Sequence, residues 1–445
     1  MNNLSKLEFQ NSNTCDADAA PLRSDKMHRY RMLIFVVISL SYVVSYFHRS
    51  SSAVVGPVLM DDLGISPTNL GFIGSMYFWA YAVACLPSGL LTDAIGARKT
   101  ITFCLGIAAA GTMLFAVSSS VPLLGAARAM IGFGVSSVYI AAMKIFSDWY
   151  KKNELATCSG ALLAVGNVGA LLSTAPLVVL IGGFGWRSTF VGLGWYTIAV
   201  AIISYLLIRN SPTELGFSPV EPAAPQAVQS TEQQPSVMTA LLQLLSTRNF
   251  YLLSVLSFMY YGTFMGVGAL WAGPYLQDVY GLSRQAAAAV LMFFPIGMTV
   301  GCPLSGYLSD KVLRSRRLVL LYGSVLHLLA YIPFIFFTDQ ISPIGLYCLF
   351  FYFGISGGFF VSCFACAKEI AHPAYSGTAI GTLNMLLAFG AAFYQYILGI
   401  ILSSYGRGSD GSYGHDAYRM IFLAAAIGLL IGCISIYKFK ENKQL

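Results

Sequence analysis

Apolar runs of about twenty residues recur along this whole chain, and a water-soluble fold has no place for them. At ~1.5 Å rise per residue, one such run reaches across the ~30 Å hydrocarbon core of a bilayer as a helix, the form that satisfies its own backbone N–H and C=O groups. Twelve runs are expected, at roughly 33–57, 67–90, 101–118, 123–147, 158–181, 187–208, 250–273, 285–308, 318–337, 343–367, 377–402 and 419–437. Composition agrees, since 56% of the 445 residues are hydrophobic and only 10% are charged, against ~25% charged in soluble domains. The first run follows a polar stretch of about thirty residues without a signal-peptide layout, so it reads as a retained span.

Basic residues orient the spans. With the N-terminus in the cytoplasm, Arg29, Arg31, Arg98, Lys99, Lys151, Lys152, Arg209, Arg248, Lys311, Arg314, Arg316, Arg317 and Lys438 fall on that side. Arg187, Arg284, Arg407 and Arg419 fall on the other. The positive-inside rule therefore puts both termini in the cytoplasm. The net charge of +7 follows from this topology and calls for no nucleic acid partner. Cys85, Cys302, Cys363, Cys366 and Cys433 lie within spans and read as small apolar packing residues, and no metal site or cofactor is expected. Compact loops suggest a bacterial inner membrane.

The chain repeats itself at an offset of 217 residues. Gly56-Pro57 returns as Gly273-Pro274, Asp61 as Asp278, Gly64-Ile65-Ser66 as Gly281-Leu282-Ser283, and Cys85 to Gly89 as Cys302 to Gly306. Asp93 matches Asp310, and Asn167 matches Asn384. Six spans per half, with both termini on one side, imply parallel halves related by an axis along the membrane normal. The expected fold is all-α, with twelve transmembrane helices in two six-helix bundles. Its parts are an N-terminal tail (1–31), a first bundle (32–209), a Pro- and Gln-rich linker (210–247), a second bundle (248–438) and a short C-terminal tail (439–445). Within the linker, residues 237–245 could form a surface helix. A soft tether of that kind lets two bundles rock against each other.

Arg49 lies near the middle of the first run. A cation at that depth costs at least ~2.5 kcal/mol and generally faces a polar cavity or a partner. Tyr42, Ser45, Tyr46, Arg49 and Ser52 recur at spacings of three and four, which gathers phenols, hydroxyls and a guanidinium on one helix face. His48 stands about 100° round the helix and is a candidate proton carrier or an interhelical hydrogen-bonding residue. No Asp or Glu occupies the middle of any run. Asn167 and Asn384 could face a solute or join helices. Tyr260 and Trp271 are candidate pathway residues, although aromatic belts also explain them.

Gly89 to Lys99 (GLLTDAIGARK), between the second and third runs, resembles the signature loop of the major facilitator superfamily. Arg128 with Gly132 and Gly134 resembles its second motif, and Gly185-Trp186-Arg187 is also usual there. The likeness extends from about Arg31 to Lys440, and in the second copy of the loop Leu313 replaces a glycine. It implies rocker-switch alternating access, with Asp93, Arg98 and Lys99, and Asp310 and Arg316 in the second copy, as gate residues. Arg128 is then a packing or proton-relay element. Tyr46-Phe47-His48-Arg49 is similar to the first-helix arginine of organic-anion and organophosphate carriers, where that arginine binds the substrate anion. Phosphate-ester carriers supply a second arginine from the seventh helix, whereas Arg49 projects through the repeat to Gly266. Gly166 stands where those carriers tend to have histidine.

These readings lead to one expectation, a monomeric secondary transporter in the lipid bilayer that moves a small carboxylate-bearing solute, an organic anion or an amino acid, by proton-coupled import. An exchanger or exporter of amphipathic compounds is the alternative within transport, and a transporter-like solute sensor the alternative outside it. No nucleophile-base pair, phosphate-cradling loop or metal cluster suggests an enzyme.

Overall fold

The computed structural model describes residues 4–218, 220, 243, 244, 246–371, 376–408 and 411–440, with side chains from residue 26 onward except at 86, 152, 153, 156 and 376. Regular structure among these residues is entirely helical. The first half runs α1 (Leu4–Ser50), α2 (Ser52–Leu63), α3 (Pro67–Ile95), α4 (Ala97–Val117), α5 (Val121–Trp149), α6 (Lys152–Leu172) and α7 (Ala175–Leu207). The second half runs α8 (Arg248–Gly266), a π-helical turn at Val267–Trp271, α9 (Ala272–Asp278), α10 (Arg284–Leu291) and α11 (Phe293–Tyr307). It continues through α12 (Arg316–Leu329), α13 (Tyr331–Phe336), α14 (Pro343–Gly358), α15 (Ser362–Ile370), α16 (Ser376–Ser403) and α17 (His415–Lys438). The surface helix expected within 237–245 lies almost wholly outside the described residues.

Among the described residues, ten helical stretches are long and apolar enough to span a membrane, and eleven if the bent pair Pro67–Cys85 and Pro87–Ile95 is one span. The expected fifth run accounts for the remaining difference. Its apolar part in α6, Thr157–Leu172, is short, and the chain turns at Ser173 and Thr174 before resuming in α7. There Gly185, at φ 77°, kinks the backbone, so α7 holds the end of the fifth run and the whole of the sixth.

The repeat reappears as local geometry. Gly64 ends α2 at φ 62° and Gly281 follows α9 at φ 60°, a left-handed conformation that a Cβ disfavours. Two residues later, Ser66 Oγ accepts from Asn69 N and Ser283 Oγ accepts from Ala286 N, each capping the next helix, a device worth ~1 kcal/mol. Deeper in, Ser88 of α3 hydrogen-bonds Ser136 of α5, and its counterpart Ser305 of α11 bonds Ser362 of α15.

The halves meet along three lines. α3 runs beside α16, α2 meets the π turn and α9, and α6 and α7 meet α11 and α10. The α3–α16 seam is stitched at Thr68 with Ser403, at Trp79 against Phe389, and at Cys85 with Asn384. On the side of the chain termini, ion pairs join helices of the same half: Arg31 with Glu154, Asp93 with Lys144, and Arg316 with both Asp310 and Glu369. On the far side, Asp61 of the first half pairs with Arg284 of the second at 2.8 Å.

Candidate functional site

Arg49 lies in the last turn of α1, at the seam between the halves. Its Nη1 donates to the hydroxyl of Tyr261 on α8 at 3.3 Å. The guanidinium carbon lies 4.7 Å from the centre of the Tyr46 ring and 5.3 Å from that of Tyr81, within range of cation–π attraction. Its Nε has no partner, and among the described residues no carboxylate forms an ion pair with it. Phenols therefore surround this cation and leave its charge formally uncompensated. An anion with two oxygens suits the open part of the planar fork.

The surrounding walls come from both halves. Tyr42 lies against Tyr46 with ring centres 4.9 Å apart, and Tyr139 of α5 flanks Tyr42. Gly166 of α6 leaves room for both rings, because a Cβ there would come within 2.8 Å of Tyr42 and 3.0 Å of Tyr46. A histidine at 166 could not coexist with these two tyrosines as they stand. From the second half, Asn384 of α16 donates to Cys85 Sγ at 3.4 Å. It also lies beside Tyr81, which links it to the arginine box.

His48, Tyr260 and Trp271 sit apart from this box. His48 is buried within the first half, with Nε2 3.3 Å from Thr112 Oγ1 of α4 and its ring beside Phe190 of α7. Tyr260 is fully buried inside the second half, and its hydroxyl donates to the Ser356 carbonyl. Trp271 donates from Nε1 to the Gln395 carbonyl at 3.1 Å. Asn167 is buried with no partner on its Oδ1. The polar stripe expected along the first span divides at Ser51, beyond which Ser52 accepts from Arg128 of α5. Tyr81 and Tyr261 were not anticipated. The spacing Tyr77, Tyr81, Cys85 carries a signal for the first, whereas sequence had no means of choosing Tyr261 over its neighbour Tyr260.

The expected gate residues occupy the side of the termini. Asp93 pairs with Lys144 of α5 at 2.5 Å, while Arg98 turns to α7, its Nε donating to the Tyr205 carbonyl at 2.7 Å. Lys99 is exposed. Arg128 is buried, donating from Nη1 to the His48 carbonyl and from Nη2 to Ser52 Oγ. On the far side, Asp62 accepts from Trp186 Nε1 at 2.9 Å and Arg187 Nη1 at 2.7 Å. These two hydrogen bonds, that from Trp186 first, hold its carboxyl below the usual range.

The chain matches the sequence profile of the Major Facilitator Superfamily over residues 38–395. It is 27% identical over 427 residues to a probable hexose phosphate transport protein of Chlamydia trachomatis serovar D, covering 91% of each chain. A probable sulfoacetate transporter of Cupriavidus necator is 23% identical over 370 residues, covering 81% of this chain and 84% of its own. Among solved structures, a bacterial homologue of the human lysosomal transporter Spinster, in an inward-facing and unoccupied conformation, aligns with a TM-score of 0.72 at 18% identity. That alignment covers 92% of this chain and 98% of the other. The repeated halves, the signature loop and a profile match over most of the sequence lead to one conclusion: this chain belongs to the Major Facilitator Superfamily, whose members are transporters rather than enzymes, and it resembles the organic-anion and organophosphate carriers within it.

Proposed function

We propose that this protein carries a small monoanionic organic acid across the membrane, binding its carboxylate at Arg49 between the two halves. The observation that carries the reading is the lone guanidinium at the seam, hydrogen-bonded across it to Tyr261 and without a carboxylate partner among the described residues. A carboxylate can accept from Arg49 and from the Tyr261 hydroxyl together, which would tie the halves around the bound solute. Asn384 and Tyr81 supply further hydrogen-bonding groups for polar parts of the solute.

Alternating access fits the contacts. The far side is held by Asp61–Arg284, while the ion pairs of Asp93 and Arg316 on the side of the termini join helices within their own halves. In this reading those residues are latch elements that exchange partners when the protein opens the other way. With both termini in the cytoplasm of a bacterial cell, an anion moving inward meets ~2.3 kcal/mol of opposition per 100 mV. A proton taken up with it removes that cost, so the proposal includes proton-coupled import by a monomer.

A phosphate ester is the second reading, favoured by the hexose phosphate relative. A dianion asks for more positive charge than one arginine provides, and Gly266 occupies the repeat position of Arg49. Uptake into proteoliposomes of glucuronate, gluconate, sulfoacetate, an amino acid and glucose 6-phosphate separates the readings. Saturable glucuronate or gluconate uptake lost in Arg49→Ala supports the first, and glucose 6-phosphate as the only substrate overturns it.

A further inference from the structure

The first span is interrupted at Ser51, two residues beyond Arg49. Inside a membrane such a joint needs hydrogen-bond partners from outside its own ladder. Here the carbonyl of His48, the residue before Arg49, accepts from Arg128 Nη1 at 3.0 Å and from Ser51 Oγ at 3.2 Å. Arg128 Nη2 reaches past the joint and donates to Ser52 Oγ at 2.6 Å. One planar fork therefore grips the first span on both sides of its interruption.

The fork is itself braced. Its guanidinium carbon lies 5.0 Å from the centre of the Tyr77 ring, and the Tyr77 hydroxyl donates to the Ser45 carbonyl at 3.2 Å. Arg128 and Tyr77 are both buried, so neither is held by contact with solvent. A small cavity lined in part by Ser51, Ser52, Gly56, Arg128 and Leu270 adjoins the joint.

We propose that Arg128 is a positioning residue for Arg49: by clamping His48 and Ser52 it sets the direction in which the Arg49 guanidinium enters the box formed by Tyr46, Tyr81 and Tyr261. The proposal rests on the reading of Arg49 as the anion ligand. Arg128 reaches that box by two routes, through the first span, whose backbone it fixes one residue before Arg49, and through the Tyr77 ring, which stacks on Tyr81 with ring centres 6.2 Å apart. A small change at the joint is amplified at the end of a long side chain, and a bidentate contact is sensitive to it. Lysine at 128 offers a point donor and does not reproduce the fork across both partners.

The test uses full-length Arg128→Met, Arg128→Lys and Ser52→Ala, with two measurements. Hydrogen exchange of peptides spanning residues 44–58, in nanodiscs without solute, reads the joint directly. Arg128→Met and Ser52→Ala should speed exchange there by about tenfold and leave peptides from the second half unchanged. Glucuronate uptake in proteoliposomes reads the consequence for Arg49. KM should rise about tenfold in Arg128→Met and by less in Arg128→Lys, with the maximal rate within about twofold of wild type.

In an Arg49→Lys background, where a point charge has lost the orientation-sensitive fork, Arg128→Met should change KM by less than about twofold. Unchanged exchange over 44–58 in folded variants overturns the proposal. So does a fall in maximal rate at constant KM, or an equal KM effect in the Arg49→Lys background. If Arg128→Met fails to fold, Ser52→Ala decides by the same two measurements. Absence of glucuronate uptake in the wild type counts against the solute reading, whereas the exchange measurement still decides the clamp.

Discussion

Arg49 of the first half donates to the Tyr261 hydroxyl of the second at 3.3 Å, a hydrogen bond across the seam. A hydrogen bond from a charged group is worth ~1.5–3 kcal/mol, comparable to what a carboxylate would gain in its place. The pair is therefore suited to exchange for a ligand without leaving either partner bare. Arg49→Ala should lower uptake by at least about thirtyfold while the protein still inserts and purifies. Tyr261→Phe should raise KM by about three- to tenfold. Uptake kinetics in proteoliposomes check both, and a wild-type KM in Tyr261→Phe would remove that residue from the site.

Gly166 holds space for the rings of Tyr42 and Tyr46. Gly166→His should displace them, destabilise the protein by about 1–3 kcal/mol through overpacking, and reduce carboxylate uptake. In combination with Tyr42→Ala, which frees that volume, part of the stability should return. Thermal unfolding of the single and double variants tests the packing, and equal melting temperatures for Gly166→His and wild type would exclude it.

Asp61 and Arg284 join the two halves on the far side, and both are exposed. Exposed pairs contribute ~0.2–1 kcal/mol, so Asp61→Asn should shift the balance between outward- and inward-facing forms by at most about fivefold. The exchange of charges in Asp61→Arg with Arg284→Asp should restore it. Distances between spin labels on the far side report the balance, and an unchanged distribution in Asp61→Asn would leave the pair without a role in closure.

Asp62 titrates below the usual carboxylate range because Trp186 and Arg187 hydrogen-bond its charged form. A depressed folded pKa contributes stability that is complete above the unfolded value of ~3.9 and is lost as pH falls through the lower one. The gap in melting temperature between wild type and Asp62→Asn should thus be constant from about pH 6 to 8 and shrink below about pH 4. A gap that widens on acidification would contradict this sign.

His48 packs against Thr112, and its carbonyl holds Arg128. If protons accompany the solute, uptake should rise from about pH 7.5 to 5.5 and collapse with a protonophore. His48→Gln should keep that profile, because the imidazole packs against Thr112 and Phe190 inside the first half rather than among the tyrosines around Arg49. A flattened profile in His48→Gln would put the proton back on this residue.

Much of the architecture was readable in one dimension because membrane helices announce themselves by length and hydropathy. The 217-residue offset showed the two halves before any coordinate did, and the paired turns at Gly64 and Gly281 are its three-dimensional form. The helix count was the weak point. A sixteen-residue stretch ending at Leu172 and a kink at Gly185 redistribute two apolar runs between α6 and α7, and hydropathy does not register a change of direction.

What the sequence determined by itself was the class of the molecule, its repeat, and the cation near the middle of the first span that a bilayer makes costly enough to notice. Periodicity assigned a residue to a helix face without saying which neighbour that face meets. Only the tertiary structure sent Tyr260 into the core of the second half and Tyr261 to Arg49, divided the first span at Ser51, and turned Asp93 to Lys144. The physical reason is that these contacts join residues far apart in the chain, and helix packing sets their register through the fit of many side chains at once.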